Sequence, residues 1–357
     1  MQTLLLATVA ISLVGGPLPL ISPPQSSPPP PSVQQQTAPP PSNATPSHQV
    51  AWGLYNSGFP GNIGGIQAVE SQIGKRAAIV MWYKHWGGPW NTFNQADIAT
   101  VLANGSVPMV TWMSDDYTIA GYPDPATQSA YSNQQIADGN FDGFIRSWAD
   151  GLRDTHTLIL LRLDSEMNGN WFGWSPGLNG NTPATYMSMW RHVHDIFVSE
   201  GAMNVQWVWS PNVDYPGATP FEALYPGDAY VDWVALDGYN WGHTNGYTPW
   251  QTFSQVFGPS YQRLSLLTHR PVMVAETGSV EVGAPAGQSK ASWIGSALST
   301  EIPRSFPRLS VLIWFDQNNS NGQDFRIESS DASLGAFASA IQLPYYTPAF
   351  PAFIRIG

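Results

Sequence analysis

The sequence predicts one α/β domain with the (β/α)8 TIM barrel fold. Short runs of β-branched and aromatic residues recur along the chain, and longer amphipathic segments separate them. About 300 residues after position 50 hold eight such units, and a barrel is the usual closed arrangement for that alternation. The main alternative is an open doubly wound sheet. It is disfavoured because no glycine-rich phosphate loop opens a predicted helix.

Period-two alternation and β-branched content predict the eight strands. They are Ala51–Tyr55, Ala78–Tyr83, Val107–Trp112, Leu158–Asp164, Val205–Ser210, Val231–Asp237, Val272–Glu276 and Val311–Phe315. Helical periodicity is clearest at residues 141–155, 183–201, 253–267, 289–302 and 333–342.

Two segments precede the predicted barrel. Residues 1–21 have the length and apolarity of a secretory signal peptide, although a basic residue near the start is missing. A membrane anchor is the alternative, but glycines and prolines interrupt the apolar run at residues 15–19. Residues 22–49 are rich in Pro, Ser and Gln and are predicted to be a disordered linker. The folded barrel domain is therefore predicted at residues 50–357, in a protein that is secreted or extracellular, with cell-surface attachment left open.

Composition restricts the partners. A formal net charge of −11 argues against nucleic acid, which requires clustered Lys and Arg. The chain has no Cys, so neither a disulfide framework nor a thiolate metal site can form. Aromatic residues make up 13% of the chain and suit both a core and flat apolar ligand faces. We expect a neutral partner, no stable membrane insertion, a monomer, and no cofactor or metal.

Polar residues follow apolar alternates at the ends of four predicted strands. Arg162, Asp164 and Glu166 share one face by period-two geometry. The same spacing groups Ala235, Asp237 and Tyr239, then Val272, Val274 and Glu276, and finally Leu312, Trp314 and Asp316. We expect these alternates to face the interior at the C-terminal end of the barrel, where barrel active sites lie. For Arg162 and Asp237, a purely structural ion pair is an equal alternative.

Two carboxyl groups facing each other across an aromatic-lined cleft are the groups needed to break a glycosidic bond. One must carry a proton for the leaving oxygen, and the other must be ionised to attack or stabilise the anomeric carbon. Glu166 and Glu276 are the candidates. Arg162 and Tyr239 could keep one carboxylate ionised, and Trp171 could desolvate the other.

The segment EMNGNW, Glu166–Trp171, with Arg162 four positions before it, resembles the His-Glu-Met-Asn-Gly motif of glycoside hydrolase family 26, the β-mannanase family of the retaining (β/α)8 clan. Further similar blocks follow in the family's order at Val208–Asn212, Tyr225–Asn240, Pro271–Ser279 and Trp314–Asn318. The resemblance extends from about Ala51 to Gln342. It implies a glycoside hydrolase that acts by double displacement.

The resemblance also implies residue roles. Glu166 would be the general acid/base and Glu276 the nucleophile, with Tyr239 bonded to the nucleophile. Arg162 and Asp237 would support it, while Trp171 and Trp314 would line sugar subsites. Further candidates for substrate binding come from strand ends and are Asn212, His85 and Trp86. For Asn212 a turn position after Pro211 is an equal alternative, and for His85 a structural hydrogen bond is.

One departure from the family concerns the sugar. Ser165 stands where the family has His immediately before the acid. A hydroxyl has less reach than an imidazole, so this change puts mannan specificity in doubt. The first prediction is a secreted endo-β-glycosidase acting on β-1,4-mannan. The alternatives are a mixed-linkage β-1,3/1,4-glucanase or β-xylanase of the same family, and a noncatalytic polysaccharide-binding barrel.

Overall fold

The computed structural model of the protein describes residues 48–319 and 322–351. The predicted signal peptide and nearly all of the predicted linker lie outside the described residues.

Eight parallel strands close into a barrel, as predicted. Their bounds are β1 (Val50–Asn56), β2 (Ile79–His85), β3 (Val107–Met113), β4 (Ile159–Leu163), β5 (Val205–Trp209), β6 (Trp233–Asn240), β7 (Val272–Ser279) and β8 (Leu309–Asp316). Each strand pairs with the next along the chain, and β1 pairs with both β2 and β8. The carboxyl ends of all eight strands therefore open at one end of the barrel.

Helices connect the strands and surround the barrel. Their bounds are α1 (Gly64–Ile73), α2 (Gln95–Ala103), α3 (Asn133–Ala137), α4 (Asp142–Arg153), α5 (Pro183–Ser199), α6 (Phe253–Leu267), α7 (Lys290–Ser296), α8 (Ile302–Ser305) and α9 (Asp331–Ile341). A π-helical segment, Ala297–Glu301, joins α7 to α8. Side-chain caps define several starts. Thr182, Thr252 and Ser289 each bond the third backbone N–H of their helix in a capping box.

The barrel packs on two apolar layers. The outer layer lies between strands and helices and takes up most of the tryptophans, among them Trp82, Trp112, Trp148 and Trp314. The inner layer fills the barrel below its open end and contains Met81, Met109, Leu160, Ala235, Met273, Ala275, Val311 and Ile313. The high aromatic content is thus mainly core, and inside the barrel the charged side chains Arg162, Asp237 and Glu276 lie above the inner layer.

The predicted alternation is wrong on β7. Val272 and Val274 belong to the outer layer, whereas Met273 and Ala275 fill the interior. The register with β6 shifts at this point, because Leu236 pairs with Val274 while Asp237 pairs with Glu276. Ala275 is the extra residue of a β-bulge. The bulge turns Glu276 to the interior although its alternates Val272 and Val274 face outward.

On β8 the predicted faces are reversed. Val311 and Ile313 fill the interior, whereas Leu312 and Trp314 face the helices. Asp316 does not project into the barrel opening. Its carboxylate accepts hydrogen bonds from Asn56 Nδ2 at 3.0 Å and from the backbone N–H of Ile327 at 2.7 Å.

The segment after α9 closes the opposite end of the barrel. A short strand, β9 (Tyr346–Thr347), pairs with the start of β1. Phe350 then packs on Trp233 at the start of β6, with ring centroids 5.3 Å apart. Among the described residues, no helix combines the length and apolarity needed to cross a membrane.

Candidate active site

Glu276 lies at the carboxyl end of β7 with only 6% of its surface exposed. Its Oε1 accepts hydrogen bonds from Tyr83 Oη and from an Arg162 guanidinium N–H, both at 2.5 Å. Its Oε2 accepts a hydrogen bond from Tyr239 Oη. Donors from β2, β4 and β6 thus converge on one carboxylate and fix both of its oxygens.

Arg162 is fully buried beneath this carboxylate. Its second terminal nitrogen is ion-paired with Asp237, which also accepts a 2.8 Å hydrogen bond from Ser210 Oγ. Burial would lower the pKa of Arg162, but Asp237 and Glu276 outweigh burial and hold that pKa well above its ordinary value. The guanidinium therefore stays charged. Since neither Arg162 nor Asp237 is accessible to solvent, both would act through Glu276 rather than touch a sugar.

Glu166 follows β4 and is held differently. Its backbone is left-handed, with φ of 54°, and its N–H donates to Ser210 O at 2.7 Å. Trp171 Nε1 donates to its Oε2 at 2.8 Å. Desolvation by the surrounding protein, followed by the negative charge of Glu276, raises the pKa of Glu166 to about 7. The Trp171 hydrogen bond opposes this rise.

The two carboxyl groups therefore have unequal surroundings. Glu276 accepts one cationic and two phenolic donors, whereas Glu166 has a single indole donor and an apolar setting. Near neutral pH a large fraction of Glu166 carries a proton. This is the division between acid and nucleophile that cleavage of a glycosidic bond requires.

Aromatic side chains line both sides of the pair. Beside Glu276, Tyr55 stacks on Phe315 with ring centroids 4.7 Å apart and meets Tyr83 edge-on at 5.0 Å. Beside Glu166, Trp171 packs on Tyr215 at 5.4 Å. Flat apolar rings on both sides of a carboxyl pair suit the faces of sugar rings.

Sequence analysis missed Tyr55, Tyr83, Tyr215 and Phe315. The available signal was the run of inward alternates Ile79, Met81 and Tyr83 on β2. It ends in a polar group, as the runs on β4 and β6 do.

Two predicted site residues lie elsewhere. Trp314 is 1% exposed and packs edge-on against Trp293 and Phe337 of the surrounding helices. Trp86 is 2% exposed and packs on Trp112. Both belong to the outer layer, Trp314 on an outward-facing position of β8 and Trp86 directly after β2, so the prediction that they bind the sugar is wrong.

The structure places His85 and Asn212 at the open end of the barrel. His85 Nδ1 lies 2.5 Å from Oδ1 of buried Asp115, and the imidazole is 24% exposed. Asn212 is half-buried, and its backbone N–H donates to Asn168 Oδ1 at 2.8 Å. No cluster of three His, Asp or Glu side chains that could hold a metal ion occurs in residues 48–319 and 322–351.

Comparisons with known proteins agree with this geometry. The profile described as glycosyl hydrolase family 26 matches residues 128–261, a range that contains Glu166 and Tyr239 and ends before Glu276. Endoglucanase H of Acetivibrio thermocellus is 35% identical over 301 residues, which are 81% of this chain and 31% of that protein. Mannan endo-1,4-beta-mannosidase A and B of Caldalkalibacillus mannanilyticus is 31% identical over 158 residues, 42% of this chain and 30% of that protein. The chain thus spans about a third of the length of these relatives.

Solved structures show the same fold. A GH26 β-mannanase from Bacteroides ovatus aligns with a TM-score of 0.62 at 18% identity, over 84% of this chain and 90% of that chain. A modular endo-β-1,4-mannanase from Cellulomonas fimi aligns with a TM-score of 0.63 at 19% identity, over 86% and 74%. Residues 128–261 thus match the profile of glycosyl hydrolase family 26, and the chain shares the (β/α)8 fold of these solved structures.

Proposed function

We propose that this chain is a retaining endo-β-glycosidase that hydrolyses a β-linked polysaccharide. Glu276 is the nucleophile and Glu166 the general acid/base. The observation that carries the proposal is the difference between the surroundings of the two carboxyl groups. Three donors surround Glu276, while desolvation and the charge of Glu276 raise the pKa of Glu166 to about 7.

In the first step Glu276 attacks the anomeric carbon while Glu166 gives its proton to the departing glycosidic oxygen. A glycosyl ester of Glu276 forms, and the leaving sugar carries the proton away. In the second step Glu166 takes a proton from water, whose oxygen attacks the anomeric carbon and releases Glu276. Two inversions give retention, which requires the two carboxyl groups to lie roughly 5 to 5.5 Å apart.

For the sugar we propose β-1,4-mannan first. Three relatives have names that specify mannan endo-1,4-beta-mannosidase, and the aligned structures include several described as mannanases. A mixed-linkage β-glucan is the second candidate. Endoglucanase H matches over 81% of this chain, and Ser165 is buried, so it extends little polar surface into the cleft where the family motif has His.

We also propose that the protein is secreted and acts as a monomer. The support for secretion is the apolar segment at residues 1–21 followed by a Pro-rich stretch, and neither feature depends on the barrel. Detection of the chain in culture medium, cleaved near position 21, would support export. Retention of the full chain inside the cell would contradict it.

The test of function is incubation with mannan, mixed-linkage glucan and β-1,3-xylan, followed by detection of new reducing ends. Glu276→Ala and Glu166→Ala serve as inactive controls. NMR of the first products should show the β-anomer, and inverted product would reject the double displacement. Binding to a glycan without release from any of the three would favour the noncatalytic barrel.

A further inference from the structure

The segment Asp164–Asn168 presents the acid Glu166 and is held from two sides. Asn168 is buried, and its amide exchanges two hydrogen bonds with the backbone of Asn212 after β5, at 2.9 and 2.8 Å. On the other side the anchor is Asp164, a buried carboxylate with no part in the two-step chemistry above.

Asp164 connects the end of β4 to the end of β3. Its Oδ1 accepts the backbone N–H of Ser114 at 2.7 Å, and its Oδ2 accepts the hydroxyl of Ser114 at 2.6 Å. Its own N–H donates to Trp112 O at 3.0 Å. Both carboxylate oxygens are therefore used by one residue of the neighbouring strand.

The backbone at Asp164 is left-handed, with φ of 40°, and so is the backbone at Glu166, with φ of 54°. A left-handed backbone is costly for any residue other than Gly, and two such residues lie here within three positions. Such a backbone persists only where its surroundings hold it. Asp and Asn tolerate this conformation better than other residues with side chains.

Burial also makes the charged form of Asp164 costly. Burial raises the pKa of Asp164 to about 7, while the two Ser114 hydrogen bonds lower it. The carboxylate of Asp115 lies near enough to raise it further, and Tyr186 Oη lies 3.4 Å from Asp164 O. Burying a carboxylate this deep costs free energy, which the two hydrogen bonds from Ser114 offset in part.

We propose that Asp164 is a positioning residue for the general acid: by holding Ser114, it fixes the left-handed turn that aims the Glu166 carboxyl at the glycosidic oxygen. This inference rests on the proposed function. Asp164 touches no sugar and transfers no proton. Its loss should therefore harm the protonation of the leaving group more than substrate binding or the attack by Glu276.

The leaving group separates this role from a merely structural one. 2,4-Dinitrophenolate leaves an aryl glycoside without needing a proton. The glycosidic oxygen of a polysaccharide must be protonated as it leaves. We expect Asp164→Gly, which keeps the left-handed backbone and removes the carboxylate, to lower kcat/KM on polysaccharide by roughly 10- to 100-fold. On the dinitrophenyl glycoside the loss of kcat/KM, which reports only the first step, should stay below about threefold, whereas kcat should fall because Glu166 still has to act as the base of the second step.

Asp164→Asn is the matched variant. Its side chain tolerates the same backbone, accepts from the Ser114 N–H and donates to the Ser114 hydroxyl, so most activity should return. Ser114→Ala removes one of the two contacts from the opposite side. It should lower kcat/KM on polysaccharide by about three- to tenfold, again with little effect on kcat/KM for the dinitrophenyl substrate.

The measurement uses the full chain, dinitrophenyl β-mannobioside and β-cellobioside, and whichever polysaccharide the wild type cleaves. Thermal unfolding of each variant is recorded alongside. Equal losses of kcat/KM on both substrate types in Asp164→Gly would overturn the positioning role. If Asp164→Gly does not fold, the same comparison in Ser114→Ala decides. A wild type that cleaves none of these substrates would instead refute the proposed function.

Discussion

The indole N–H of Trp171 donates a 2.8 Å hydrogen bond to Oε2 of Glu166, five residues before it in the chain. A donor on Oε2 leaves Oε1 as the oxygen that carries the proton in the acid form. Trp171 thus has two effects at once, since its ring lies beside the cleft while its nitrogen orients the acid. The hydrogen bond also favours the ionised form and so restrains the pKa of Glu166.

Trp171→Phe should move the pH profile to higher pH. The variant keeps an aromatic ring but loses the N–H, so the pKa of Glu166 should rise above its wild-type value of about 7. The protonated form of Glu166 then persists to higher pH, and the alkaline limb of the kcat/KM profile should move to higher pH. Profiles of both proteins on the same polysaccharide test this. A limb that moves to lower pH would contradict the assignment of Glu166 as the acid.

Glu276→Gln should lower the pKa of Glu166. Desolvation is the largest cause of its rise and remains in the variant, while the contribution from the charge of Glu276 is removed. The pKa should therefore fall but stay above the ordinary value for Glu. Infrared or ¹³C NMR titration of the Glu166 carboxyl measures it. In the proposed mechanism, esterification of Glu276 removes the same charge, so a fall here would explain how Glu166 becomes the base of the second step.

Alternation along the strands predicted all eight strands of the barrel and drew attention to Glu166 and Glu276. It could not predict which alternates face inward on β7, because a one-residue bulge at Ala275 exchanges the faces. On β8 it chose the wrong face, since both faces of a strand in this barrel are apolar. Trp314 was therefore assigned to the cleft, although it packs against helices.

Of the three donors to Glu276, sequence analysis predicted Arg162 and Tyr239 and missed Tyr83. Arg162 and Tyr239 stand in recognisable motif blocks, whereas Tyr83 lies within β2 and follows two apolar inward residues, Ile79 and Met81. Only the closure of the barrel, which brings β2 across from β7, reveals its contact with Glu276.

Tyr83→Phe should impair catalysis without unfolding the protein. The variant keeps the ring but removes one of two donors on Glu276 Oε1, the other being Arg162. A hydrogen bond to a charged group contributes about 1.5 to 3 kcal/mol, which corresponds to a loss of roughly 10- to 100-fold in kcat/KM.

Tyr230→Phe is the control for this change. It makes the same chemical alteration near the opposite end of the barrel, where Tyr230 packs on His194, and should leave activity unchanged. Equal activity of Tyr83→Phe and the wild type would mean that the phenol does not support the nucleophile.

Arg162→Met should destabilise the fold, because it leaves Asp237 and Glu276 buried without their cation. Breaking a buried ion pair in this way costs about 3 to 5 kcal/mol of unfolding free energy. Arg146→Met breaks the exposed pair with Glu200 and should cost less than about 1 kcal/mol.

The deficit of Arg162→Met should depend on pH. Burial raises the pKa of Asp237, and Arg162 lowers it, so Arg162→Met should raise that pKa further. A folded state with the higher pKa binds more protons than the unfolded chain, and its stability falls as pH rises. Urea unfolding should therefore show a larger deficit for Arg162→Met at about pH 7.5 than at about pH 5. A deficit that grows toward acid pH would mean that the buried carboxylates are not the source of the instability.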